Sequence, residues 1–411
     1  MFDLAVTDPI GALETKPVAS PDIAVPALTL AQRADAVAKI AAAHAADVDR
    51  NGRFPTEAIE AIRAQRLFGI LVPSDLGGEE VDLPAVVDVC YRLGRACAST
   101  AMIYAMHQTK AACVVRHAGD NAWQRAVLTR LATDQLLFAS STTEGQGGGN
   151  VRSSVAPICR DGDRITLHRN ASVISYGAQA DAIVTTARRS EDAAHSDQVL
   201  AVFLKADYDL VQGSGWDTMG MRGTCSVGFD MMASGVADQI LSVPYDRIHG
   251  QTMTPVAHLV WSGVWAGIAA AAVERAQAFT RRAMRQSSGQ LPPGAAHFTK
   301  ASSTLNMLRT LVSSSARRYE DAIRDDTIMT SMVFQTAITL LKVDASELAV
   351  ATVLAALRAC GLSGYRNDGE ASVSRQLRDI LSSLLMINND RILASLSSAT
   401  LMTPVPTGLG G

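Results

Sequence analysis

Asp134-Gln135-Leu136-Leu137-Phe138-Ala139-Ser140-Ser141-Thr142-Thr143-Glu144 is the stretch at which the chain changes character. Before it, apolar residues recur every three to four positions, as on the buried stripe of a helix. That spacing predicts helices over 28–48, 56–66, 83–96, 99–116 and 121–133. After it come short segments rich in β-branched residues, such as RITLHRNASVIS (164–175), ADAIVTTARR (180–189) and QVLAVFLKA (198–206), separated by turns. Asp161-Gly162-Asp163 between two of them is a hairpin signal. Beyond Pro244 the helical period returns, with helices expected over 254–286, 297–323, 327–357 and 373–401. Long helices with short connections read as a four-helix bundle. The fold class is therefore α+β. A helical domain is expected over 29–133, a β domain of six or seven strands over 134–243 and a bundle over 244–411. An arm over 1–28, carrying Pro9, Pro17, Pro21 and Pro26, precedes them.

Composition narrows the function. The 411 residues suggest two or three domains, at roughly 150 residues each. Lys plus Arg number 37 and Asp plus Glu 40, so the net charge is 37 − 40 = −3. No basic excess is available for a phosphate backbone, which argues against a nucleic-acid binder. Hydrophobic residues at 48% and aromatics at only 5% leave Ala, Leu, Val and Ile as the apolar mass, a mix that favours packed helices. The longest near-apolar run, 256–273, contains His258, Trp261 and Ser262 and is followed by Glu274. It reads as a buried helix, and no membrane partner is expected. The six cysteines are scattered without a Cys-x-x-Cys, so neither zinc nor a disulfide framework is expected, and reduced thiols suit a cytoplasmic protein. No metal-ligand pattern, no G-x-S-x-G and no G-x-G-x-x-G after a strand is found.

Three loops stand out. Residues 140–150 combine hydroxyls with four glycines, a composition that presents small polar groups to a phosphate or a flat polar ring. A flexible turn has the same composition. Residues 216–224 hold Arg222 among glycines, and 172–178 end a strand on Ser175. Taken alone, both suit ordinary inter-strand turns. His107 and His258 lie on apolar helices, where a histidine is usually a satisfied core residue.

In combination these motifs resemble the acyl-CoA dehydrogenase superfamily over nearly the whole chain. The segment 54–57 with the VPSDLGG turn (72–78), ASTAM (98–102), Thr143-Glu144, MGMRGT (219–224) and Arg378-Asp379 match its motifs in order. The resemblance implies a helical N-terminal domain, a middle β-barrel or sandwich domain and a C-terminal four-helix bundle. It implies a flavin, FAD with FMN possible, and a homotetramer. By the same resemblance the flavin lies against Thr142, Thr143, Gly148 and Gly149 of the loop and Val173, Ile174 and Ser175 at the strand end. Arg285 and Ser287 fall where a neighbouring subunit meets the pyrophosphate. Arg358 and Gly361 fall on the interface loop that closes on the flavin, and Asn388 and Asn389 lie near it in the last helix. Arg222, Trp261 and Ile387 are expected to face the substrate.

The chemistry is where this chain departs from the resemblance. Family dehydrogenases remove an α-proton of an acyl thioester with a glutamate, because the proton must leave to a positioned base. The usual base position is Ile387 and the alternative one is Trp261. The neighbouring arginine becomes Ser262, and a loop serine becomes Gly149. Three readings follow. The first is an oxidoreductase acting on an acyl thioester (CoA or carrier protein) with a relocated base; Asp390, three residues beyond Ile387 on one expected helix, could share its face. The second is a flavin-dependent monooxygenase, in which reduced flavin meets O₂ and His258 or His107 stands in for absent last-helix histidines. The third is a catalytically silent flavoprotein. An electron acceptor or a flavin reductase is the implied partner.

Overall fold

The structure, a computed structural model, describes residues 28–144, 151–405 and 407–408. Gly148 and Gly149 lie outside the described residues.

The N-terminal helices begin where side chains can take up free backbone donors. Thr29 and Gln32 cap α1 (Leu30–Asn51) reciprocally, Asp82 caps α3 (Leu83–Ala96), and Asn121 caps α5 (Ala122–Thr133). Between them lie α2 (Thr56–Ala64) and the buried α4 (Ala98–His117). His107 sits inside this domain with both ring nitrogens used. Its Nε2–H donates to the Phe68 carbonyl (2.9 Å), and Nδ1 accepts from the Phe138 amide (3.0 Å). It is a core histidine that fastens α4 to the first strand.

Among the described residues, seven strands form two sheets. One runs β1-β4-β5 (Phe138–Ser141, Ala182–Arg188, Gln198–Leu204), with β1 parallel to β4. The other is antiparallel, β2-β3-β7-β6 (Ile158–Asp161, Arg164–Ile174, Val227–Val236, Tyr208–Gln212). β3 alternates exposed and buried residues along its length, so one face carries the core. β4 and β5 are buried almost throughout, so this sheet is covered on both faces.

The C-terminal region comprises α6 (Tyr245–Ile248), a wide π-helical turn (His249–Met253), α7 (Thr254–Gln286), α8 (Ala295–Ala322), α9 (Asp326–Thr330), α10 (Met332–Cys360), α11 (Leu362–Tyr365), α12 (Ser374–Leu385) and α13 (Asn389–Met402). Two helices expected as single are divided. Ser331 caps α10 and separates it from α9. The final helix breaks at Ile387, whose φ is +49°, and Asn388 caps α13 by accepting from the Asp390 and Arg391 amides. An asparagine cap inside an apolar period ends a helix that the period alone would continue.

α7 is the axis of the molecule. It packs on α3 and α4 on one side and on α8, α10 and α12 on the other. Its approach to α3 is set by glycine: a Cβ on Gly267 would lie 2.2 Å from the Tyr91 carbonyl, and one on Gly94 would lie 2.5 Å from that of Val264. The helical run 245–286 is long and apolar enough to cross a membrane, and its most apolar stretch is buried within the protein. Gly267→Ala must push two backbones apart. It is expected to destabilise the protein by about 1–3 kcal/mol, read as a lower melting temperature, while Gly215→Ala, where an added Cβ meets nothing within 4 Å, is the control.

Candidate active site

A cavity of about 190 Å³ opens where α4, β1, the end of β3, the π turn and α7 meet. It gathers Thr142, Thr143, Val173, Ser175, Trp261, Ile387 and His258, seven of the residues singled out from sequence. Ile174 lies directly behind, fully buried.

One wall is hydroxylic. Thr143 Oγ1 accepts from Ser172 (3.4 Å). A chain of hydroxyls runs inward from Ser175 to Ser226 (2.7 Å), to Thr224 (2.7 Å) and to the Met221 carbonyl (2.9 Å). The carbonyl can only accept, so each hydroxyl spends its single proton toward it. Ser175 therefore offers the cavity a lone pair and no proton. Val173, 37% exposed, stands beside this wall as an apolar platform.

The opposite wall carries nitrogen bases. His258 Nδ1–H donates to the Ile338 carbonyl (2.9 Å), which leaves Nε2 as the acceptor nitrogen. Burial, with Lys342 nearby, pushes His258 down to about 4. His249 comes from the π turn, a geometry frequent at functional sites. Burial, with Arg152, His258 and Lys110 around it, pushes it down to about 3. Lys110 of α4 is buried, and its ammonium is pushed down to about 8 by the loss of water. Trp261 lies between these groups and Trp265, with ring centroids 6.1 Å from His258 and 6.4 Å from Trp265. No Asp or Glu is among the described residues lining this cavity.

The other sequence-predicted residues lie elsewhere. Asp390 does not reach the cavity. The break at Ile387 removes the shared helix face, and Asp390 is exposed in the first turn of α13. Asn388 is spent on its cap. Asn389 is buried in the bundle, accepting from Lys342 Nζ (2.6 Å) and donating to Ser346 and Glu347 (3.0 Å each). Arg222 is turned away to a separate cleft, where it binds the Asp49 carbonyl (2.8 Å) and Asp217 (2.9 Å) and anchors its loop to α1. Arg285, Ser287, Arg358 and Gly361 are exposed at the ends of α7 and α10, remote from the cavity lining. Sequence reading missed Lys110 and His249. A lone lysine in the apolar helix ASTAMIYAMHQTKAACVV (98–115) was the available signal for the first; nothing marked the π turn.

Four buried imidazoles, His107, His117, His249 and His258, all stay below their ordinary value, at about 3 to 4. The unfolded chain then binds more protons between pH 6.5 and 4, so stability falls as the pH drops through that window. Asp379 opposes them. It accepts from the Met221 amide (2.7 Å), and burial pushes its carboxyl up to about 6, so the native state gains a proton first. Asp379→Asn is expected to steepen the acid loss, read by chemical denaturation at stepped pH.

Comparison with known proteins agrees with this architecture. Residues 29–135 match the family described as acyl-CoA dehydrogenase, N-terminal domain. The chain is 26% identical over 384 residues to cyclohex-1-ene-1-carbonyl-CoA dehydrogenase of Geobacter metallireducens, covering 92% of this chain and 98% of that protein. It is 24% identical over 253 residues to dibenzothiophene monooxygenase of Rhodococcus erythropolis, covering 59% of this chain and 60% of that one. The FMN-bound structure of TdsC from Paenibacillus sp. A11-2 superposes with a TM-score of 0.81 at 18% identity, over 92% of this chain and 98% of the other.

Proposed function

We propose that this chain, a divergent member of the acyl-CoA dehydrogenase superfamily, is a flavin-dependent oxidoreductase that oxygenates a small substrate with an apolar body and uses no carboxylate base. The observation that carries this reading is the cavity wall: nitrogen bases and hydroxyls without an Asp or Glu among the described residues. In the dehydrogenases this chain resembles, the α-proton of a thioester leaves to a glutamate, and no carboxylate among the described residues of this lining takes that place.

The residues present fit a flavin ring. Hydroxyls of Thr142, Thr143 and Ser175 edge a cleft in which Val173 and Trp261 offer apolar faces. A ring that is polar at its rim and apolar on its faces matches that wall. Thr142 and Thr143 would hold its polar edge, and Ser175 would accept from a ring N–H. A bound flavin supplies the electron-transfer chemistry, taking electrons from a substrate or a reductase and passing them to O₂ or another acceptor. His258 and His249, neutral at pH 7 through burial, can move a proton at Nε2 or hold the substrate without adding charge. Trp261 and Ile387 exclude water from the apolar side.

The same wall and the FMN-bound structural neighbour support a flavin; FAD, with FMN as the smaller alternative, is the form proposed. Arg285 and Arg358 are exposed and would meet the pyrophosphate of a neighbouring subunit's FAD in a homotetramer. The exposed apolar residues Leu354, Leu362, Leu385, Leu393 and Leu401 of the C-terminal region support that assembly.

Acyl-thioester dehydrogenation is the second reading. Similarity over nearly the full length of a CoA-thioester dehydrogenase favours it.

Absorption spectra of the flavin-loaded protein decide between them. Oxygenation predicts no bleaching by a panel of acyl-CoAs without O₂, but O₂-dependent turnover once a reductase supplies electrons. Prompt anaerobic bleaching by an acyl-CoA would overturn it. Thr143→Val is expected to weaken flavin retention by about 0.5–1.5 kcal/mol, measured by equilibrium dialysis. Ile387→Glu should create acyl-CoA oxidation if a thioester fits the cavity.

A further inference from the structure

Lys110 is an anomaly of α4. The helix is buried along most of its length, and Lys110 itself is only 3% exposed. Its ammonium meets no carboxylate among the described residues; its contact is Met253 Sδ at 3.3 Å. A thioether is a weak acceptor, and it does not replace the water that an ammonium loses on burial. The charged or titratable groups around it supply no negative charge either. Arg169 is cationic, burial keeps His249 neutral, and the Cys113 thiol is pushed up to about 11 and stays protonated. Lys110 and Met253 both line the cavity, so the open side of the ammonium is the cavity itself. A buried cation without a partner is normally paired when its site is complete.

We propose that Lys110 is the substrate-recognition residue of this cavity and pairs with an ionised oxygen, carboxylate or phenolate, carried on a small apolar body that packs against Met106, Trp261 and Ile387. The inference rests on the reading of this cavity as the substrate side of a flavin site. The cavity holds about 190 Å³ and is open on one side, against the roughly 150 Å³ that holds benzene in a dry cavity; with a flavin ring along its hydroxylic wall, the body beside Lys110 is limited to about one ring. An ammonium on one side and a neutral acceptor nitrogen of His258 on the other favour a substrate that is anionic at a single end.

Benzoate and benzamide share a ring and differ in charge; 4-nitrophenolate and nitrobenzene form the phenolate pair. Calorimetric titration of the full chain is expected to show one anion binding about tenfold or more tighter than its neutral partner, the span of a hydrogen bond to a charged group. Benzoate preference alone assigns a carboxylate, and 4-nitrophenolate preference alone a phenolate. Lys110→Met and Lys110→Gln are each expected to erase the preference while keeping the neutral ligand's affinity. Lys110→Met should melt no lower than the parent, because it removes an unpaired buried charge. Equal binding of charged and neutral partners, binding of none, or a preference that survives both substitutions overturns the proposal. Flavin content is read on the same samples. A protein that takes up no flavin yet keeps a Lys110-dependent anion preference overturns the flavin reading and leaves the lysine's role standing.

Discussion

A helical segment that is apolar on every side cannot lie at a surface, and the N-terminal half of α7, residues 255–273, imposes that constraint on the whole molecule. It must be covered all round, so α3 and α4 close on it from the N-terminal domain while α8, α10 and α12 close from the bundle. The close approach at Gly94 and Gly267 fixes how the two helical regions cross. The β domain is then held to both. The loop carrying Met221 and Arg222 reaches α12 through Asp379 and α1 through the Asp49 carbonyl, and Arg378 binds Asp49 across the same junction. The cavity is a by-product of this closure. Thr254, Ala257, His258 and Trp261 repeat at three- and four-residue intervals on the α7 face that turns toward the strand ends.

What that cavity can do follows from which charges burial permits there. Imidazoles lose their protons, and the hydroxyl chain from Ser175 points its protons toward the Met221 carbonyl. The wall therefore presents acceptors from two sides. Lys110 adds a charged donor to that wall, beside the neutral indole N–H of Trp261.

The α–β–α order, the strand texture and the helix positions were legible because each rests on local periodicity: the alternation of β3 and the three-to-four spacing of α3 are written residue by residue. Thr142, Thr143, Val173, Ser175 and Trp261 were legible through motif position and do converge. Arg222 was misread because an arginine among glycines looks the same whether it meets a ligand or a helix end. Arg285 and Arg358 are exposed at the ends of their helices, away from the cavity. Lys110 and His249 escaped for opposite reasons. A lysine on an apolar helix reads as an error of amphipathicity, and a π turn has no periodic signature at all.

The final helix carries the decisive difference. In an unbroken helix Ile387 and Asp390 would sit three residues apart on one face, and a carboxylate could take the place of the missing glutamate. The backbone forbids it. Ile387 adopts a left-handed φ of +49°, a conformation that costs a β-branched residue roughly 1–3 kcal/mol. It persists because its surroundings over-determine it: Asn388 caps the next helix, and Asn389 is clamped by Lys342, Ser346 and Glu347. The turn delivers an apolar side chain to the cavity and sends the nearest carboxylate to solvent. The backbone as well as the side chain thus keeps a carboxylate of this helix away from the cavity.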